Sequence, residues 1–102
     1  MDIVVEELII EEDRPEHIVK HGVKVSEVRE IVDGRYAYYH GKRGRWILIG
    51  KTNEGRVLAV IIGPRKIEGK YGLVTARPAS REERSFYKEF TFQIGGRQNG
   101  KN

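Results

Sequence analysis

The sequence has 102 residues, no cysteine and a formal net charge of +4, which divides into −6 over residues 1–34, +8 over residues 35–84 and +2 over residues 85–102. This length suits one domain with a modest core. The lack of cysteine excludes disulfides and thiolate zinc sites. No apolar run approaches the roughly 20 residues that span a bilayer. The acidic start, Met1-Asp2, is unlike a signal peptide, so we expect a cytoplasmic protein with no membrane partner, whose basic block binds a polyanion or an acidic protein.

The first third of the chain predicts a strand followed by two short helices. The apolar, β-branched run Ile3–Ile10 is typical of a strand. Asp13 and Glu16 form a box-like helix start, and Gly22 is a ready C-terminal stop. Apolar residues then recur at helical spacing from Val25 to Val32, which indicates a second helix after a tight turn.

From Arg35 the apolar period changes from 3.6 to 2, which indicates strands. Short turns between them favour an antiparallel meander of four strands. The predicted strands are Tyr36–His40, Trp46–Ile49, Val57–Ile62 and Tyr71–Arg77. The third is apolar throughout, as expected of a central strand that is buried on both faces.

A capping box of Ser80 and Glu83 opens a predicted last helix from about Arg81 to Phe90. Residues 95–102 contain no apolar side chain, so we expect a disordered tail there. The element order predicts one α+β domain over residues 1–94, with the helices packed on one face of the sheet.

A phosphate site is predicted at the end of the last strand. Alternation places Leu73, Thr75 and Arg77 on one face of that strand. Arg77 then lies beside the N-terminus of the last helix, near Arg81 and Arg84, and cations at a helix N-terminus favour phosphate. The alternative is that Arg77 pairs with a carboxylate.

Six further cations are spread over the predicted strands and loops: Arg43, Arg45, Arg56, Arg65, Lys66 and Lys70. Such a face can follow a nucleic-acid backbone while aromatic side chains, Tyr38 among them, stack on bases. The alternatives are a solvated sheet face for the charges and core packing for the aromatic residues, above all for Trp46.

His17 and His21 are four residues apart and share one face of the first helix. Histidines at this spacing can bind zinc, but no third ligand presents itself and the helix lacks the glutamate of a zinc protease. We therefore predict no metal site and no cofactor. Histidine also transfers protons near neutral pH. A structural role is the alternative, above all for His21 beside the helix stop.

Several segments resemble the BrnT family of bacterial toxins, in order and with family-like spacing over about residues 13–88. They are Glu16-His17-Ile18-Val19-Lys20-His21-Gly22-Val23, Glu27-Val28, Gly44-Arg45-Trp46, Ile49-Gly50, Gly55-Arg56-Val57-Leu58, Val74-Thr75-Ala76-Arg77, Glu83-Arg84 and Tyr87. The resemblance implies a fold related to that of the RelE ribonucleases. It also implies an RNA-cleaving toxin of a type II toxin–antitoxin pair, with RNA and a BrnA-like antitoxin as partners.

For such a toxin we expect metal-independent chemistry in which the RNA 2′-hydroxyl attacks the adjacent phosphate. Arg77, Arg65 and Arg45 would stabilise the added charge. His21 or His17 would transfer the proton.

The other cations, with Tyr38, form the predicted RNA-binding set: Lys20, Lys24, Arg43, Arg56, Lys66, Lys70, Arg81 and Arg84. Lys20 or Lys24 can replace a histidine in proton transfer if that histidine is structural. The expected assembly is a homodimer or a toxin–antitoxin hetero-oligomer. Two interpretations compete with the nuclease: a non-catalytic nucleic-acid-binding module, and a protein-interaction domain that uses the same basic sheet.

Overall fold

The structure, a computed structural model, describes the backbone of residues 3–100 and the side chains of residues 3–90. The elements in chain order are β1 (Glu7–Ile9), α1 (Arg14–Val19), α2 (Val25–Val32), β2 (Tyr36–His40), β3 (Trp46–Lys51), β4 (Val57–Pro64), β5 (Lys70–Pro78) and α3 (Arg81–Gly100). They confirm the predicted α+β class and element order. Among the described residues, no helix is long and apolar enough to cross a membrane.

The C-terminal helix is longer than the predicted Arg81–Phe90, since α3 continues to Gly100. The structure does not describe the side chains of residues 95–102, so the predicted disorder of this tail stays a prediction.

The sheet has five strands in the order β1-β5-β4-β3-β2. Strands β2 to β5 form the predicted antiparallel meander. β1 joins its edge parallel to β5, from the pair Glu7–Lys70 to the pair Ile9–Gly72. The predicted strand Ile3–Ile10 is thus reduced to three residues, because its first residue, Ile3, packs into the hydrophobic core instead. The result is a mixed sheet rather than a purely antiparallel one.

Two hydrophobic clusters lie on opposite faces of the sheet. α1 and α2 cover one face, where Leu58 and Val60 of β4 are fully buried. α3 covers part of the other face, where Tyr87 packs against a cluster that contains Ala59 and Ile49. The prediction that all helices share one face is wrong, because β4 is apolar on both sides and each side needs cover. Its predicted central place, buried on both faces, is confirmed.

A β-bulge changes the predicted alternation along β5. The register between β4 and β5 shifts by one residue in mid-strand, where Val74 is the extra residue. Leu73 and Ala76 therefore both lie in the cluster on the α1–α2 side. Thr75 and Arg77 lie on the α3 side, so the prediction that Leu73 shares their face is wrong.

Helix α1 lies along the outer edge of β5. β1 ends opposite Gly72, so in the described part of the chain no strand pairs with the outer edge of β5 beyond that residue. α1 takes this place, and Arg14 Nη1 donates a hydrogen bond to the Val74 carbonyl oxygen at 2.6 Å. This contact places α1, with its two histidines, beside the bulge.

The packing of α2 on β3 depends on Gly50. A Cβ at this position would lie 2.8 Å from Ile31 Cγ2 and 3.3 Å from the Arg35 carbonyl oxygen. We expect Gly50→Ala to lower the free energy of unfolding by about 1–3 kcal/mol, because the buried Ile31 has no space to retreat. Urea unfolding measures this loss. The matched control is Gly63→Ala in β4, where the new Cβ meets nothing closer than 3.6 Å. Equal stability of the two variants would contradict the close contact between α2 and β3.

Candidate functional site

Two paired glycines leave part of the sheet without side chains on the α3 face. Gly63 of β4 and Gly72 of β5 are directly paired. The Arg65 guanidinium lies over Gly72, in the space that a Cβ of that residue would need. Arg65 Nη2 also donates to Glu11 Oε2 at 3.0 Å, and 40% of the Arg65 side chain stays exposed. The absence of a side chain at Gly72 therefore lets an arginine lie flat on the sheet.

Arg45 lies beside this glycine pair. It directly precedes Trp46, which packs on the α1–α2 side, so alternation points Arg45 to the α3 side. Its Cγ is 4.0 Å from the position of a Cβ on Gly63. Because paired residues in adjacent strands lie about 5 Å apart, Arg45 and Arg65 are neighbours on one face.

Arg77 is held in place by a carboxylate. Its Nη1 and Nη2 donate to Glu83 Oε1 and Oε2 at 2.7 and 2.9 Å, which is a bidentate pair. The sequence alternative, in which Arg77 pairs with a carboxylate, is confirmed. The Arg77 side chain is nevertheless 39% exposed, so part of it stays accessible to an anion. Glu83 thus holds the Arg77 guanidinium in one orientation and leaves part of the side chain exposed.

Glu83 receives more donors than Arg77 alone supplies. Tyr39 donates its hydroxyl to Oε2 at 3.1 Å, and the Ser80 backbone N–H donates to Oε1 at 2.8 Å. Hydrogen bonds from Arg77, set against the opposing effect of burial, lower the Glu83 pKa to about 2. Burial raises the pKa of Tyr39, and the neighbouring Glu83 charge adds to that shift. The carboxylate is therefore ionised across the physiological range.

The same contacts occupy the N-terminus of α3. Glu83 N–H donates to Ser80 Oγ at 3.1 Å, which completes the predicted capping box. The phosphate site predicted at this terminus is filled by the protein's own carboxylate. Arg81 and Arg84 are exposed on the first turn of α3.

A histidine reaches the same face from the edge of the sheet. His17 Nε2 lies 3.1 Å from Thr75 Oγ1, and Thr75 is two residues from Arg77, a distance of roughly 7 Å along β5. The His17 and His21 rings meet edge to face, with centroids 5.6 Å apart. His21 is exposed beyond His17. In the described residues, no three metal-ligating side chains gather into a possible metal site.

Five side chains thus share the α3 side of the β4–β5 half of the sheet, and we call this set the arginine face. Its members are Arg45, Arg65, Arg77, Thr75 and His17. α3 makes most of its contacts with β2 and β3, and it meets this set at Arg77 through Glu83. Three guanidinium groups beside an imidazole can bind a phosphate and exchange a proton next to it.

The other predicted site residues lie elsewhere. Arg56 Nη1 pairs with the nearly buried Glu27 of α2 at 2.7 Å, and Lys70 pairs with Glu7 of β1 at 3.1 Å. Tyr38 packs on the opposite face, with its ring 6.0 Å from that of Trp46. This aromatic packing was the sequence alternative. The remaining cations are exposed in turns and at helix ends, and they are Arg43, Lys66, Lys20 and Lys24.

Sequence reasoning missed the contact of Thr75 with His17 and the contacts of Glu83 with Tyr39 and Arg77. Alternation places Thr75 on the same face as Arg77. It predicts no contact for Thr75, because nothing in the chain reveals that α1 lies along β5. Glu83 was recognised only as a capping residue. Glycines inside predicted strands do signal a close approach of other groups, and Gly72 carried that signal.

No protein-family model matches the chain, and no curated protein matches it in sequence. A solved structure does match: the Brucella abortus ribonuclease toxin BrnT is 23% identical, with a TM-score of 0.58 over 74% of this chain and 97% of that one. The chain therefore has a BrnT-like fold, and the resemblance found in the sequence is confirmed at the level of the fold.

The Glu83 pKa predicts acid sensitivity. Because the folded-state pKa lies below the ordinary value, Glu83 stabilises the fold above about pH 4.5, and this contribution is lost as pH falls toward 2. We expect about 1–2 kcal/mol, since water screens the partly exposed Arg77. Urea unfolding from pH 7 to pH 2 measures it. Glu83→Gln should flatten this slope and the exposed Glu82→Gln should keep it; equal slopes in the two variants would contradict the assignment.

Proposed function

We propose that this protein is an RNA-cleaving toxin of a type II toxin–antitoxin pair, acting as a metal-independent endoribonuclease. The arginine face carries the proposal, because it combines three cations with a histidine on the open face of a BrnT-like fold. The nucleophile would be the 2′-hydroxyl of the RNA itself. Besides this face, such a reaction needs an acid for the departing 5′-oxygen.

The arginines would bind the scissile phosphate and the charge that develops on it. Attack by the 2′-oxygen gives a phosphorane with more negative charge than the starting diester, and fixed donors aimed at that charge lower the barrier. Arg77 suits this task because Glu83 orients it before the substrate arrives. Arg65 and Arg45, which lie at the glycine pair on the same face, would add to this charge.

His17 would be the proton-transfer group. Its contact with Thr75 holds the ring at the border of the arginine face. As the 2′-oxygen bonds to phosphorus, the 2′-hydroxyl proton passes to the imidazole. The bond from phosphorus to the 5′-oxygen then breaks, and a proton supplied to that oxygen completes a 5′-hydroxyl and a 2′,3′-cyclic phosphate. The exposed His21, next to His17, is placed to supply this second proton.

The partners would be RNA and a BrnA-like antitoxin. A polypeptide that inhibits this enzyme has to cover a strongly basic face, so it would bring acidic residues to it. The toxin–antitoxin hetero-oligomer is therefore the assembly that we propose for the inactive state. Metal ions have no part in the proposed steps, so cleavage should proceed in the presence of a chelator.

The three histidines offer a matched test. His17→Ala should reduce RNA cleavage by about 10²- to 10⁴-fold, the usual value of a positioned acid or base. His40→Ala is the control, because His40 lies against Trp46 with ring centroids 4.5 Å apart, on the opposite face of the sheet. Cleavage of labelled RNA in EDTA and growth arrest on induction are the readouts. Wild-type protein that neither cleaves RNA nor slows growth would refute the nuclease.

The glycine pair allows Arg65 to be moved without being replaced. Gly72→Ala puts a methyl group where the Arg65 guanidinium lies, and the flexible end of that side chain has to shift. We expect at least a tenfold loss of cleavage with an unchanged fold, because a displaced donor no longer meets the developing charge.

The matched control is Gly63→Ala, in which the new methyl group only touches Val74 and Arg45 at 3.6 and 4.0 Å. It should cleave within about twofold of wild type. If Gly72→Ala also cleaves RNA at the wild-type rate, the flat position of Arg65 has no function in the reaction.

A further inference from the structure

A groove of about 790 Å³ lies between the first turns of α3 and the turn that joins β3 to β4. Its floor is apolar, with Val57, Pro78 and Tyr87 among its lining residues. Four cations line it: Lys51, Arg56, Arg84 and Lys88. No acidic side chain of the described residues lines this groove, so it combines apolar contact area with one sign of charge.

Three of these cations have no carboxylate partner. Arg56 pairs with Glu27, but Lys51, Arg84 and Lys88 make no ion pair with any residue in the described part of the chain. Their mutual repulsion opposes folding, and an anionic ligand would relieve it. The groove is thus suited to an anion that also presents an apolar or aromatic surface.

The groove adjoins one member of the arginine face, Arg77. Pro78, which lines the groove, directly follows Arg77 in the chain, and Arg77 Nη1 lies 3.4 Å from the Pro78 carbonyl oxygen. A strand of RNA whose phosphate reaches Arg77 therefore has its next nucleotide at the mouth of the groove. An acidic peptide would also match the charge, but its carboxylate side chains present no planar base to the ring of Tyr87, which lines the groove.

We propose that this groove is the binding subsite for the nucleotide next to the scissile phosphate in single-stranded RNA. The inference rests on the proposed function, because it takes the phosphate at Arg77 as the site of cleavage. The flanking base stacks on Tyr87, and its phosphate lies among Lys51, Arg84 and Lys88. Stacking on an aromatic ring combined with backbone contacts to cations is the common mode of single-strand binding.

Charge reversal tests the phosphate contacts. The probe is a fluorescein-labelled 2′-O-methyl RNA decamer of mixed sequence, which binds but has no free 2′-hydroxyl to react. Lys51→Glu and Lys88→Glu should each weaken binding about tenfold and reduce the slope of log K against log salt by about one. Arg29→Glu changes the net charge equally at an exposed residue of α2 that does not line the groove, and should bind within about threefold of wild type.

Substitution of the aromatic floor tests the stacking. Tyr87→Phe keeps the ring and should bind the decamer like wild type, whereas Tyr87→Leu keeps an apolar side chain without a ring and should bind about tenfold more weakly. Melting curves of both variants report whether the fold is kept. Equal binding by the Phe and Leu variants would overturn the stacking contact.

The outcomes separate this inference from the proposed function. If wild-type protein cleaves RNA but the groove variants bind the decamer like Arg29→Glu, the subsite is refuted and the nuclease stands. If wild type never cleaves RNA but binds the decamer through the groove, the nuclease is refuted and RNA binding in the groove stands. If the groove variants lose binding only of a glutamate-rich peptide, the groove docks a polypeptide, and the inference is overturned.

Discussion

The ion pair between Arg77 and Glu83 is the contact on which the rest of the site depends. It joins the last strand to the last helix, and it orients one guanidinium toward the open face. The same carboxylate accepts hydrogen bonds from Tyr39 and from the backbone at the start of α3. One side chain therefore connects β2, β5 and α3. A partly exposed salt bridge contributes little to stability as a rule. This one gains its importance from the three elements that meet at Glu83, and from the direction that it gives to Arg77.

Two departures from regular sheet geometry shape the surface next to that pair. The bulge at Val74 shifts the second half of β5 by one residue, and so Thr75 and Arg77 turn to the face that α3 leaves open. The glycines opposite each other, Gly63 and Gly72, remove the side chains that would otherwise fill that face. A regular strand with ordinary residues would bury Arg65 under its neighbours or push it into solvent. The concentration of arginines is thus a property of the backbone as much as of the charges themselves.

The sequence predicted well those helices and strands whose position depends on apolar periodicity and helix capping. The valine spacing of α2, the apolar run of β4 and the Ser80–Glu83 box were all recovered near their observed bounds. The sequence failed where long-range packing decides. Nothing local reveals that Glu7–Ile9 pairs with β5, that α3 crosses to the second face, or that a bulge sits at Val74. For the site, residue types gave the arginines and histidines, but Tyr38 was placed with them although it packs on the far face. Only the three-dimensional structure shows that Glu83 contacts Arg77 and that Thr75 contacts His17.

The position of α1 has a consequence for solubility. An uncovered strand edge offers unpaired backbone groups to other chains, and natural proteins hide or charge such edges. Beyond Gly72 the outer edge of β5 is of this kind, and α1 covers it through the bond from Arg14 to the Val74 carbonyl. The helix that carries His17 therefore also covers the outer edge of β5. It cannot swing over the open face without exposing that edge to edge-to-edge aggregation. This restraint confines the histidine to the border of the sheet, so in the proposed reaction the RNA would have to reach it there.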